Sequence, residues 1–310
     1  MQKILPKKRL NEFLINLMRD YEVIAPIKDK NTKFQVLSKD NIKNLYLKDI
    51  TEVPVKDYLM PESETILEFK DNKYASREGK TRKRIIFGLR KCDLNSFLIL
   101  DKVMYDKNYR NRRKNAILIG LYCEYPDKYC FCNSMELEDK YDLFFYPDKG
   151  DYYINIGSKL GEELVKSLGN SRKQVIKKLK NSKQLNNKDI QAEYKNKIWE
   201  EDAKKCLSCG ACTVYCPTCN CFDFVEKQGI NLNDAKKIRN QTSCQLQSFS
   251  RVAGGKIFRE SRLARFKHFV FHKIVYFKNK YSKYMCVGCG RCLRVCPTHI
   301  DWVNTINRLK

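Results

Sequence analysis

Two stretches of this chain share one cysteine spacing, and that spacing restricts the fold more than any other feature. "CLSCGACTVYCP" runs from Cys206 to Pro217, and "CVGCGRCLRVCP" from Cys286 to Pro297. Each reads C-x2-C-x2-C-x3-C-P, the bacterial-type [4Fe–4S] run. Three cysteines at intervals of three wrap a tight loop, so each thiolate reaches a different iron of one cubane. The fourth lies too far along to close the same cube and reaches the other one. The spacing therefore predicts crossed ligand sets for two [4Fe–4S] clusters. One is Cys206, Cys209 and Cys212 with Cys296, and the other is Cys286, Cys289 and Cys292 with Cys216. Gly210 and Gly290 fall where a side chain would crowd the approach of backbone to cluster. Structural zinc fits poorly, because its sites show paired CxxC elements instead of CxxCxxC.

The runs lie seventy residues apart, from Cys216 to Cys286, which is too far for a compact two-hairpin ferredoxin. The insertion contains "ESRLARFKHFVFHKIVYF", helical in pattern, and strand signals nearly vanish after residue 200. Residues 198–310 are therefore expected to form an α-helical ferredoxin-like dicluster domain. Residues 1–197 alternate helix and strand signals and read as an α/β domain. Residues 7–20 carry apolar side chains on one helical face. "TILEF" (65–69), "RIIFGL" (84–89) and "AILIGLYC" (116–123) are strand-length apolar runs, the last two joined by a helical stretch as a parallel strand–helix–strand unit. "DLFFYP" and "DYYINIG" flank "DKG" as a hairpin, and "SKLGEELVKSL" begins with a Ser cap. The polar, lysine-rich residues 170–200 read as the boundary.

Seven of the fifteen cysteines fall outside the two runs. Cys92 directly follows the strand 84–89, and Cys123 ends the next one. Parallel neighbours would bring both to the carboxyl edge of the sheet, where open α/β sheets place ligands. Cys130 and Cys132 follow in a short loop, so four thiols could meet there, enough for a third cluster. Asp93 stands beside them as a ligand or a neighbour of one. The competing reading is burial as small apolar side chains, and the convergence of four thiols favours the cluster over it. Cys219, Cys221 and Cys244 exceed this arithmetic. His268 and His272, four apart on a helix, lack a suitably placed acidic companion and read as structural.

An odd cysteine count forbids complete disulfide pairing. No secretory h-region opens the chain, and no apolar run is long enough to span a bilayer. These features suit a cytoplasmic, thiol-reduced protein with no membrane partner. The formal net charge of +25 could attract nucleic acid. The lysines are scattered without interleaved aromatics, however, which counts against a nucleic-acid partner and favours a solvated surface or a docking face for an acidic protein. There is no GxGxxG, P-loop or nucleophile elbow, so no nucleotide site or catalytic residue is expected.

"IIFGLRKCDLNSFLILDKV", "CFCNSM", "CGACTVYCPTCNCFDF", "RVAGGKIFRESRLARFKHFVFHK" and "MCVGCGRCLRVCP" together resemble the iron–sulfur subunits of anaerobic reductase and hydrogenase complexes. The nearest groups are the sulfhydrogenase beta subunits and the A-type iron–sulfur subunits of anaerobic sulfite reductases. The resemblance implies a non-catalytic electron-transfer subunit of an oxidoreductase complex. It would stand between a flavoprotein that meets NAD(P)H and the catalytic partner, which is a NiFe hydrogenase in one group and a sirohaem sulfite reductase in the other. It also implies a purpose for Cys92, Cys123, Cys130 and Cys132. Those relatives usually carry proline before the first of these cysteines, where this chain has Lys91, a charge that would raise the potential of a cluster there. An alternative leaves the N-terminal domain itself catalytic, through a cluster with an open coordination position.

Overall fold

The computed structural model describes residues 2–71, 73–76, 82–229 and 233–309. Among them are eleven strands: β1 (Lys3–Pro6), β2 (Glu22–Lys28), β3 (Thr32–Val36), β4 (Ser63–Lys70), β5 (Lys73–Ser76), β6 (Arg84–Leu89), β7 (Ala116–Leu121), β8 (Leu143–Asp148), β9 (Asp151–Ile156), β10 (Phe222–Gln228) and β11 (Ala235–Gln241). Seven form one sheet in the order β1-β9-β8-β7-β6-β2-β3, and four form a second in the order β10-β11-β4-β5.

The centre of the larger sheet is parallel, β2 to β6 to β7 to β8. Its strands are covered on both faces, which is why "RIIFGL" and "AILIGL" read as unbroken apolar runs. Ile85, Phe87 and Ile119 pack on one face with Leu10, Leu14 and Leu17 of the helix Leu10–Leu17. Ile86, Leu89 and Leu118 pack on the other with Leu94, Phe97 and Leu100 of the helix Lys91–Leu100. That helix and a second, Lys107–Lys114, form the crossover between β6 and β7, as the strand–helix–strand reading requires. β8 and β9 form the expected hairpin. The following helix is capped by Ser158, which accepts from Gly161 N, but it ends at Leu164.

β2 was not legible in the sequence. It carries Pro26, a residue that usually marks an edge. Here the parallel ladder to β6 covers only Glu22–Ile24, so the missing N–H falls beyond it.

The expectation that strands end near residue 200 is overturned by β10 and β11, which lie inside the insertion between the cysteine runs. All seven residues of β10 are exposed. A strand without a buried face has no reason to alternate, so the pattern gave no signal. β11 pairs with β4, placing "TILEF" in this second sheet. Buried charges reinforce the join: Arg239 reaches Glu64 (2.7 Å) and Asp106 (2.8 Å), and Arg112 also holds Glu64 (2.6 Å).

The remaining insertion is helical, with Arg262–Phe271, a π turn at His272–Tyr276, and Phe277–Tyr281. It packs with the helices Ile198–Lys205 and Trp302–Asn307 around Trp199, Phe269 and Trp302. The polar residues 170–200 do not run free. Val175 N donates to Gln2 Oε1 (2.8 Å), Asn133 N to Asn181 Oδ1 (2.8 Å), and Lys183 pairs with Asp301 (2.6 Å). Among the described residues no helix is long and apolar enough to cross a membrane.

Candidate metal centres

The two cysteine runs fold alike, residue for residue. Ser208 and Gly288, each two past the first cysteine, both take positive φ (55° and 65°), and so do Gly210 and Gly290 (79° and 72°). The left-handed residues turn backbone N–H groups inward. Ser208 N donates to Cys206 Sγ (3.4 Å), and Gly288 N to Cys286 Sγ (3.3 Å). A short helix then starts in each run, Ala211–Val214 and Arg291–Arg294. Further donors reach the sulfurs, with Ile300 N on Cys296 (3.3 Å) and Trp302 Nε1 on Cys292 (3.5 Å). Donors preset on sulfur suit thiolates that carry negative charge.

Cys206, Cys209, Cys212 and Cys296 line one narrow cavity of about 40 Å³, which Cys292 also reaches. The fourth cysteine of the second run thus faces the same cavity as the first three of the first run. On the other side, burial raises Cys286, Cys289 and Cys292, the last to about 12, and a charged Cys216 raises each further. Among the described residues, no three Cys, His, Asp or Glu side chains close on a single metal ion. The thiols enclose spaces instead of points, which fits a multi-iron cluster better than one zinc.

The N-terminal thiols also converge. Cys92, Cys123, Cys130 and Cys132 all line one cavity of about 530 Å³ at the carboxyl ends of β6 and β7. Arg90 ties these strand ends together, donating to Tyr122 O (2.7 Å) and to Lys48 O (3.2 Å). Burial raises all four thiols, Cys132 to about 11. Such a set stays protonated until a metal displaces the protons. Lys177, Lys178 and Leu179 of the polar stretch 170–200 also line the cavity, and Cys132 donates to Asn181 Oδ1 (3.3 Å).

The second run is pressed onto this loop. Phe131 N donates to Gly288 O (2.8 Å), and Cys130 Sγ to Cys289 O (3.4 Å). A Cβ on Gly288 would stand 2.6 Å from Cys132 Cα, and one on Gly290 2.6 Å from Tyr129 O. These glycines are thus needed for loop-on-loop packing and not only for the approach to a cluster. Asp93 is not free to be a ligand. It accepts from Arg291 of the second run (2.8 Å, both fully buried) and from Arg90 N (3.2 Å). Lys91 turns to Asp139 (2.8 Å), which offsets the charge expected beside Cys92.

The three surplus cysteines all lie within the field of one buried lysine, Lys273. Lys273 Nζ reaches Cys216 Sγ (3.2 Å), Cys219 Sγ (3.0 Å) and Thr218 Oγ1 (3.1 Å), and Lys56 Nζ donates to Cys219 O (3.0 Å). A hydrogen bond from Cys219 and the Lys273 charge hold the Cys216 thiol well below its ordinary range, while Cys219 is pushed up by the same bond. Likewise Cys244 donates to Cys221, lowering it to about 6. Sequence reasoning missed Lys273. Its signal was a lone lysine inside the apolar run "FVFHKIVYF". His268 and His272 stack on one another (5.4 Å between centroids), and burial lowers them to about 4 and about 3, as suits structural residues.

Residues 205–300 match the 4Fe-4S dicluster domain family, which indicates [4Fe–4S] clusters. The whole chain is similar to the sulfhydrogenase 2 subunit beta of Pyrococcus furiosus, at 31% identity over 325 residues, covering 96% of this chain and 95% of that protein. No solved structure matches the chain. With 96% of its length aligned to that subunit and its cysteine runs inside the dicluster match, the chain belongs to the sulfhydrogenase beta-subunit family.

Proposed function

We propose that this chain is the iron–sulfur electron-transfer subunit of a hetero-oligomeric redox complex, relaying electrons from an NAD(P)H-linked flavoprotein subunit to a NiFe hydrogenase-type catalytic subunit. The name of its relative supports the hydrogenase-type partner. Cys206, Cys209, Cys212 and Cys296 hold one cluster, and Cys286, Cys289, Cys292 and Cys216 a second. Cys92, Cys123, Cys130 and Cys132 hold a third. When bound, such clusters supply reversible one-electron steps at potentials set by burial, hydrogen bonds to sulfur and nearby charge. The chain's own work is to hold thiolates, direct N–H groups at them and exclude water.

One observation carries the reading: the N-terminal four-thiol cavity abuts the second run, through the Cys130 to Cys289 contact and the close approach at Gly288 and Gly290. The second run then adjoins both other thiol sets, through Cys292 on the first-run cavity and Cys289 at Cys130. Iron analysis of the anaerobically prepared chain should find about twelve irons, falling to about eight when Cys123 and Cys130 are both replaced by Ala. About eight irons in both proteins would reject the third set and leave the first two standing. In the purified complex, Cys209→Ala should stop electron flow from NAD(P)H to protons while the flavoprotein subunit still reduces an artificial dye. Undiminished flow in Cys209→Ala and in Cys289→Ala would reject the relay itself. Sulfite reduction in place of hydrogen evolution would move the assignment to a sirohaem partner.

A further inference from the structure

Lys273 is a fully buried cation whose three acceptors among the described residues are Cys216 Sγ, Thr218 Oγ1 and Cys219 Sγ, none of them a carboxylate. A buried ammonium without an opposing charge is costly. Its placement therefore needs negative charge on the sulfur it touches. The backbone is shaped for the purpose. Lys273 lies in the π turn His272–Tyr276, a widening of the helix often found at functional sites. Its carbonyl oxygen points out of the helix and accepts from Met285 N (3.0 Å) and Cys286 N (3.4 Å). One residue thus grips the second run by its carbonyl and the first run's Cys216 by its side chain. Those are the two ends of a single crossed ligand set. The other fourth cysteine, Cys296, takes a backbone N–H from Ile300 instead.

We infer that Lys273 is a positioning residue that docks Cys216 against Cys286, Cys289 and Cys292 and, through its charged N–H donors to Cys216, makes their cluster the easier of the two run clusters to reduce. Cys219, with its Sγ 3.0 Å from the same ammonium, shares it. A metal centre built on Cys219, Cys221 and Cys244 is disfavoured by the same geometry, because Lys273 Nζ already stands 3.0 Å from Cys219 Sγ. The inference rests on the crossed ligand sets proposed above.

The test is an EPR-monitored redox titration of the cluster-loaded chain, wild type against Lys273→Met and Lys273→Gln, with iron counted in each. In Lys273→Met one midpoint should move to more negative potential while the others stay in place. Lys273→Gln, which keeps N–H donors without the charge, should fall between. The shift should persist in a Cys209→Ala background, which lacks the other run cluster. Wild-type midpoints in either variant with iron retained would overturn the inference. So would loss of the same four irons from both variants, which would make Lys273 a purely structural tie. Absence of [4Fe–4S] signals from the wild-type chain would instead overturn the reading on which the inference rests.

Discussion

The two cysteine runs share spacing, backbone conformation and N–H to sulfur bonds, yet they sit in opposite surroundings. In the first run Cys209 is exposed, and the Cβ missing from Gly210 would come closest to the Ser243 side chain (3.1 Å), with no backbone atom among its nearest contacts. In the second run Cys289 is buried, and the corresponding glycine abuts the backbone of Tyr129. Where the first run has Ala211, the second has the fully buried Arg291, bonded to Asp93, Thr51 O and Thr51 Oγ1. The cysteine pattern goes with one shared loop conformation, and the residues between the cysteines decide whether the loop faces solvent or another part of the chain. A surface-facing loop suits exchange with a partner subunit, and an enclosed one suits passage between internal sites.

The contrast can be broken at several points. The largest effect should come from the cysteines. Cys209→Ala and Cys289→Ala should each lose about four irons, but only Cys289→Ala should also lower the thermal midpoint markedly, since it empties a buried site. Equal destabilisation in calorimetry would deny the difference in surroundings. Next, Arg291→Leu should cost about 3–5 kcal/mol in denaturant unfolding, because Asp93 is left buried without its partner. Adding Asp93→Leu should recover much of that loss. Gly288→Ala should cost about 2–4 kcal/mol, from the left-handed φ and from the displaced Cys132 backbone. Its counterpart Ser208→Gly should gain up to about 1 kcal/mol, less whatever the contact of Ser208 Oγ with Arg265 supplies. Similar values at both positions would show that the loops are not differently packed. The smallest effect concerns pH. Burial depresses His268 and His272 below the usual histidine value, so the unfolded chain binds more protons. Their contribution is complete above about pH 6.5 and is lost as pH falls from there to about 4 for His268 and about 3 for His272. Replacing both with Phe should flatten the acid side of the stability profile by about 1–2 kcal/mol, discounted for partial exposure.

The two cysteine runs were legible because their spacing is local. β6, β7 and the helix between them were legible because burial on both faces makes apolar runs. The convergence of Cys92, Cys123, Cys130 and Cys132 followed from parallel strands ending at one edge. Three other features are non-local and left no period to read. β10 is exposed along its length. Residues 170–200 are polar yet fold over the thiol cavity, because their backbone and amide groups find partners such as Asn133 and Gln2. Lys273 owes its position to a π turn, which a 3.6-residue pattern does not announce. Asp93 looked available beside Cys92, but its partner Arg291 lies 198 positions away in the chain.

The central claim is that the second run stands between the N-terminal thiols and the first run. Spin–spin interaction in the EPR spectrum of the fully reduced, cluster-loaded chain tests it most directly, when wild type is compared with Cys289→Ala. Removing the middle cluster should leave two signals that no longer broaden one another. Two remaining signals that stay strongly coupled in Cys289→Ala would contradict that order.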